Sequence, residues 1–364
     1  MERKGGVLYI GIDLGTSRTS VAASNGVRET VWSFVGYPRD AVSRKLLGTD
    51  KVFGKEAVDR RLALELFRPL RHGVIQSDGA GNGAGKGAAQ GEGDEDGPGL
   101  SQAEAERHMQ AARDLVQHAL SRARPRSDEL IYGVIGAPAR ASHKNKEMII
   151  QASREHLDAV MVCSEPFAVA YGLGLLDDTL VVDIGAGTVD LCRMHGTLPS
   201  EDDQITLKTA GDWVDEQLYA LLKKKAPKAD FSMHFVKELK ERYATVEPRG
   251  PVEIELLVNG RPTAFEVSNE VRLACRKIIP PIVLAMHKLI STFDPDFQAR
   301  LRDNVLLGGG GSQIVGLATA LEQAMRQMLG SGRVRQADEP TYAGCNGALK
   351  MAHDMPEEYW KQLS

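Results

Sequence analysis

Val7-Leu-Tyr-Ile-Gly-Ile-Asp13-Leu-Gly-Thr-Ser17 and Thr179-Leu-Val-Val-Asp183-Ile-Gly-Ala-Gly-Thr-Val-Asp190 spell one device twice, 170 residues apart. Each opens as the apolar run that a strand buried on both faces requires. Each run stops at an Asp, turns through a Gly-rich segment and returns as a second strand, Thr19 to Ala23 in one copy and Val189 to Met194 in the other. A carboxylate at a strand end beside such a turn suits a nucleoside triphosphate. Glycine lets the backbone approach phosphates, and consecutive N–H groups form an anion-binding nest. Gly15, Thr16 and Ser17 supply those groups in the first copy, and Gly185, Gly187 and Thr188 in the second. Asp13 and Asp183 are the expected holders of Mg2+, through its waters, because that ion dehydrates reluctantly. One Asp-Leu-Gly-Thr alone reads equally well as a solvent-facing strand end. Two copies imply a duplication, and with it two similar lobes.

A third glycine segment, Leu307-Gly308-Gly309-Gly310-Gly311-Ser312, follows the buried strand Val305-Leu-Leu and precedes Ile314 and Gly316-Leu317. Such a run admits a flat ring or a ribose close to the backbone, or is simply a flexible turn. Between these segments, strands and helices alternate, as in an α/β protein. Ser101 followed by Glu104 is a capping box for a helix running to Ala123. Ile131 to Gly136 and Val160 to Cys163 read as strands, and Ser142 to His156 as a helix. Val252 to Val267 alternates around Asn259-Gly260, which predicts a two-residue hairpin. Residues 79–99 contain nine glycines in 21 positions and the acidic run Glu92 to Asp96, so they are expected to be a disordered insertion.

Composition narrows the function. With 45 Lys and Arg against 49 Asp and Glu, and no long basic run, the chain lacks the electrostatic footprint of a nucleic-acid binder. Cys163, Cys192, Cys275 and Cys345 are scattered without zinc-ligand spacing and are expected to be free thiols in a reducing, cytoplasmic setting. No segment has the 18 or so apolar residues of a membrane span, and Met1 to Gly6 has no apolar face, so direct membrane insertion is not expected. His108 and His118 receive no metal, and Lys223 to Lys225 reads as a solvated helix end. Tyr359 and Trp360 are expected to pack the last helix.

The segments around Asp13, Asp183 and Gly308 to Leu317 resemble the first phosphate, second phosphate and adenosine motifs of the actin, heat-shock chaperone ATPase and sugar-kinase superfamily. Gly136-Ala-Pro-Ala139 and Tyr342-Ala-Gly-Cys-Asn-Gly-Ala-Leu349 resemble its two connecting motifs. Sugar kinases run longer, and chaperones carry a substrate domain for which no residues remain. The length is that of bacterial actins. Val35-Gly-Tyr-Pro-Arg-Asp40, Arg44-Lys-Leu-Leu-Gly48, Ala137-Pro-Ala-Arg-Ala-Ser142, Val162-Cys-Ser-Glu-Pro-Phe167 and Pro356-Glu-Glu-Tyr-Trp-Lys-Gln-Leu363 resemble in particular the actin-like filament proteins of magnetosomes.

The resemblance implies an actin-like two-lobed α/β ATPase fold, two RNase H-like lobes each with a small subdomain and a nucleotide cleft between them. Residues 1–35, 73–172 and 341–364 would form the large subdomain of lobe I and 36–72 its small one. Residues 173–210 and 277–340 would form the large subdomain of lobe II and 211–276 its small one. It also implies ATP and Mg2+ as cofactors, with Gly308, Gly309, Gly310 and Ser312 at the adenosine. Glu165 would orient or activate the attacking water, with Asp183 beside it, and Lys237 and Glu238 would flank adenine and ribose. The plainer alternatives are a charge at a helix N-terminus for Glu165 and an exposed helical pair for Lys237-Glu238. Arg39, Arg44 and Lys45 lie where filament contacts form in such proteins or are plain surface charges. The implied function is ATP-driven assembly into a homopolymeric cytoskeletal filament whose turnover follows hydrolysis. Protein adaptors would tie that cytoplasmic filament to the magnetosome chain. A small-molecule kinase or a chaperone-like ATPase with the same motifs is the alternative.

Overall fold

In the computed structural model of the chain, residues 5–76 and 100–363 are described. The insertion expected at 79–99 lies outside the described residues. The chain forms two compact units, Met1–Ser164 with Cys345–Ser364, and Glu165–Gly344.

The first unit starts with β1 (Val7–Leu14), β2 (Arg18–Ala23) and β3 (Arg28–Trp32), an antiparallel meander. A small sheet follows, made of β4 (Val35–Pro38), β5 (Val52–Phe53) and β6 (Leu64–Phe67), with α1 (Ala41–Leu47) and α2 (Gly54–Asp59) between its strands. The hairpin β7 (Leu70–Arg71) and β8 (Val74–Ile75) leads on to α3 (Gln102–Arg122). Then β9 (Leu130–Ala137), α4 (His143–Ser153) and β10 (Ala159–Ser164) complete the large sheet, in the order β10-β9-β1-β2-β3. β1 is central and lies parallel to β9, which lies parallel to β10. Leu8, Ile10, Ile12 and Leu14 of β1 are buried against Leu115 and Val116 of α3 in one core. Each such side chain contributes about 1.5–3 kcal/mol.

Ser101 caps α3 as the sequence predicts, its Oγ accepting from the Glu104 N–H. One face of that helix docks the small sheet. The Asp114 carboxylate, almost fully buried, accepts from the Tyr37 hydroxyl at 2.6 Å and from Lys51 Nζ at 2.8 Å. His118 stacks on Phe53 with ring centroids 4.2 Å apart, and His108 meets Phe67 edge-on. Burial lowers the pKa of both histidines, so each serves as a flat, neutral packing surface.

The second unit repeats the plan. After α5 (Glu165–Leu173) come β11 (Thr179–Ile184), β12 (Val189–Met194) and β13 (Gln204–Leu207), again an antiparallel meander. An inserted group follows: α6 (Gly211–Lys225), β14 (Ala229–Asp230), α7 (Met233–Tyr243), β15 (Glu253–Val258), β16 (Arg261–Glu266) and α8 (Ser268–Arg276). The chain continues through α9 (Ile279–Ser291), α10 (Pro295–Arg302), β17 (Val305–Gly308), α11 (Leu317–Leu329) and β18 (Val334–Gln336). Its large sheet runs β13-β12-β11-β17-β18, with β17 and β18 parallel to their neighbours, the same order and orientation as in the first unit. Asn259 and Gly260, both at positive φ, turn the β15–β16 hairpin. Every residue of β11 is buried, as its unbroken apolar run requires. The last helices are α12 (Ala343–Asp354) and α13 (Glu357–Leu363).

Two surface readings change. Lys223 is held, donating to the Ala229 carbonyl at 2.7 Å above the Phe231 ring, and Lys225 pairs with Glu270 at 2.8 Å. In the tail, Trp360 is fully buried and stacks on Tyr132, whereas Tyr359 is exposed. All four cysteines are free thiols.

Candidate nucleotide site

Asp13 stands at the end of β1, opposite Ser20 of β2, and Gly15-Thr16-Ser17 turns between them. Three anchors hold that turn by its carbonyls. Ser33 Oγ donates to the Gly15 carbonyl at 2.7 Å, Arg68 Nε to the Thr16 carbonyl at 2.8 Å, and the Ser33 N–H to the Ser17 carbonyl at 2.9 Å. The C=O and the following N–H of a trans peptide point in opposite directions, so the amides of Thr16 and Ser17 face away from those anchors. The Thr16 hydroxyl, also buried, accepts from the Gly73 N–H at 2.7 Å. Burial pushes the Asp13 carboxyl up to about 6.

The second turn is built alike. Asp183 is the next-to-last residue of β11, opposite Asp190 of β12. The N–H groups of Gly211 and Asp212, the first residues of α6, donate to the Gly185 carbonyl at 3.1 Å and the Ala186 carbonyl at 2.7 Å. The amides of Ala186 and Gly187 therefore face away from α6. The Gly185 N–H closes the turn on the Thr188 carbonyl at 2.9 Å. Thr188 and Asp183 are both buried, at 5% and 7% exposure.

Parallel pairing of β11 with β17 sets Gly308 directly beside Asp183. Gly309 then turns at φ 72°, and a Cβ at this position would overlap the Asp183 carboxylate. The Ser312 side chain is turned inward, its hydroxyl donating to the Gly309 carbonyl at 2.7 Å and accepting from Gln336 at 3.2 Å. Its place in this structure is to shape the glycine turn. Glu165 is the first residue of α5, whose Val169 and Ala170 pack on Val181 of β11. Lys237 and Glu238 lie on α7, where Glu238 is exposed and pairs with His234 at 3.4 Å.

The second unit thus brings Asp183, Gly185, Gly187 and Thr188 together with Gly308 to Ser312, while the first carries Asp13, Gly15, Thr16 and Ser17 on its own turn. Ser33, Arg68, Gly73 and the α6 N-terminus, which aim the turns, were not singled out in the sequence. Their only signal is position in the fold. The groups suit a magnesium nucleotide. Each turn offers amides to phosphate, and each carries a carboxylate, a hard oxygen donor of the kind Mg2+ takes beside phosphates and water. Among the described residues, no set of three or more His, Cys, Asp and Glu forms a metal cage, and no helix is long and apolar enough to cross a membrane.

Comparison with known proteins gives one direction. The profile of the MreB/Mbl protein family matches residues 106–359. The actin-like protein MamK of Paramagnetospirillum magneticum is 36% identical over 357 residues, 98% of this chain and 95% of that protein. Among solved structures, a MamK double helical filament superposes with a TM-score of 0.85 at 35% identity, covering 96% of this chain and 99% of that one. A non-polymerising MamK mutant bound to AMPPNP matches at the same identity and coverage, with a TM-score of 0.68.

Proposed function

The chain belongs to the MreB/Mbl protein family, with the actin-like fold of that family, and from this premise we propose that it is an ATPase that assembles with ATP into cytoskeletal filaments. The observation that carries the reading is the pair of turns. Each unit places an Asp next to last in a central strand, and each hangs the following Gly-rich turn by its carbonyls so that successive amides face the other way. Neutral packing needs no such repeated arrangement; phosphate binding does. The relatives support the polymer, since solved structures of MamK include a double helical filament and a form bound to AMPPNP.

In this reading the amides of Thr16, Ser17, Ala186 and Gly187 bind phosphate oxygens, and the glycine turn at 308–310 lies against the adenosine. Lys237 and Glu238 flank base and ribose. Glu165 orients and deprotonates the attacking water, a role worth about 10²–10⁴ in rate. Asp13 and Asp183 would hold Mg2+, which would supply charge neutralisation for the transferring phosphate. Subunits add head to tail by a heterologous contact that never closes, giving an open filament. Hydrolysis changes which state the bound nucleotide favours and so loosens the polymer. We also propose, from the likeness to MamK, that protein adaptors tie the filament to magnetosomes.

The test is sedimentation of purified protein with Mg2+ and ATP, with electron microscopy of the pellet and phosphate release measured on the same sample. Nucleotide-dependent filaments with phosphate release tracking assembly are expected. A monomer that hydrolyses ATP without sedimenting would overturn the cytoskeletal part, and absence of nucleotide binding would overturn the whole.

A further inference from the structure

Lys240 sits one turn along α7 from Lys237, and its side chain is only 13% exposed. Its ammonium donates to the Gly211 carbonyl at 2.7 Å and pairs with Asp215 of α6 at 2.8 Å. Asp215 is itself 3% exposed. A buried ion pair is a poor way to gain stability, because desolvating two charges offsets most of their attraction. This one sits where orientation matters. Gly211, whose carbonyl Lys240 grips, gives its N–H to the Gly185 carbonyl, and the next amide, of Asp212, serves Ala186. The second phosphate turn therefore hangs from the first residues of α6, and α6 hangs from Lys240.

The same, C-terminal end of α7 also reaches the glycine segment. Just beyond the helix, the Val315 N–H donates to the Ala244 carbonyl at 3.2 Å, and the Val246 N–H donates to the Val315 carbonyl at 2.9 Å. Arg276 Nη1 donates to the Val246 carbonyl at 3.1 Å and fixes that crossing. The C-terminal end of α7 thus links the segment proposed for adenosine to the turn proposed for phosphate, all within the second unit.

We propose that Lys240 is a positioning residue for the nucleotide phosphates: its ammonium holds the start of α6, and α6 sets the direction of the Ala186 and Gly187 amides. The inference rests on the nucleotide reading above. Lys240 touches no phosphate; it acts through Gly211. It has no apolar equivalent, because a methionine of similar length leaves both the Gly211 carbonyl and the Asp215 carboxylate without their cation.

The experiment compares adenosine with Mg2+-ADP as competitors of a fluorescent ADP analogue on the full chain. In the wild type, the diphosphate group should add affinity over adenosine. In Lys240→Met that gain should shrink by about tenfold, the worth of one lost charge-assisted hydrogen bond, while adenosine affinity stays within about twofold. Lys240→Arg should recover most of the gain. The double variant Lys240→Met, Asp215→Asn removes the lone buried carboxylate, and the gain should stay small there even if stability returns. Parallel weakening of adenosine and ADP would mean that Lys240 merely holds the fold. An unchanged gain would mean that α6 orients the turn without it. Either result overturns the proposal. A wild type with no gain from phosphate sinks the nucleotide reading itself, and the proposal with it.

Discussion

Gly309 lies so close to Asp183 that a single methyl group cannot be placed between the glycine turn and the strand-end carboxylate. Gly309→Ala combines that overlap with a positive φ, each costing about 1–2 kcal/mol. The variant is expected to melt lower and to bind ADP at least about tenfold more weakly. Gly310, where a Cβ meets nothing within 4 Å, is the control: Gly310→Ala should keep the wild-type melting temperature.

Removing the proposed base separates chemistry from binding. Glu165→Ala is expected to keep nucleotide binding and assembly while phosphate release slows by about 10²–10⁴, leaving filaments that persist. Release at the wild-type rate takes Glu165 out of the mechanism.

The two strand-end carboxylates should act on the cation and not on the base. Chelating Mg2+ should weaken ADP binding to the wild-type protein and leave adenosine binding alone. Asp13→Asn and Asp183→Asn should each remove most of that Mg2+ dependence. A wild-type response to Mg2+ in both variants argues against either residue as its holder.

Thr16 links the first turn to the β7–β8 hairpin through the Gly73 N–H. Thr16→Val keeps the shape and removes the acceptor, stranding a buried amide at a cost of about 1–3 kcal/mol. Thermal unfolding should show a fall of roughly 2–4 °C for each kcal/mol lost.

The pH dependence of stability should be traceable to Asp203. Burial alone would raise its pKa, but hydrogen bonds from Arg193, Ser200 and His195 outweigh it and hold the carboxyl below its ordinary 3.8. The folded value lies under the unfolded one, so this stabilisation is complete at neutral pH and is lost as pH falls below about 3.8. Arg193, donating at 2.6 Å and stacked over Phe293, is the principal partner. Arg193→Met should cost about 3–5 kcal/mol at pH 7 and flatten the fall in stability at the acid end. A variant with the wild-type acid profile would place that dependence elsewhere.

What the sequence disclosed were features that repeat or that act locally. The strand–Asp–glycine device was visible because both copies use the same few residue types in the same order, and the register sets Asp13 and Asp183 at equivalent strand ends. The Ser101–Glu104 cap and the Asn259-Gly260 turn were visible because each is completed within four residues. The anchors were not. Arg68 reaches Thr16 across 52 residues, Tyr37 reaches Asp114 across 77, and Lys240 reaches Gly211 across 29. Nothing at either end of such a pair announces its partner. Lys223 misled for the same reason, since three lysines in a row look solvated until Ala229 and Phe231 fold over one of them.

The two units differ in one respect that matters while the chain is being made. The second is a single stretch from Glu165 to Gly344, whereas the first lacks residues 345–363 until the end. Those residues are not an ornament. The α12 backbone at Cys345 and Leu349 presses on Gly11 so tightly that no side chain fits there, and Trp360 covers Tyr132. At about 5–20 residues per second, a ribosome reaches them roughly 10–40 s after Ser164. For that interval the earlier-made sheet has an uncovered apolar face while the later-made unit can already close. The half that is translated first is the half that matures last.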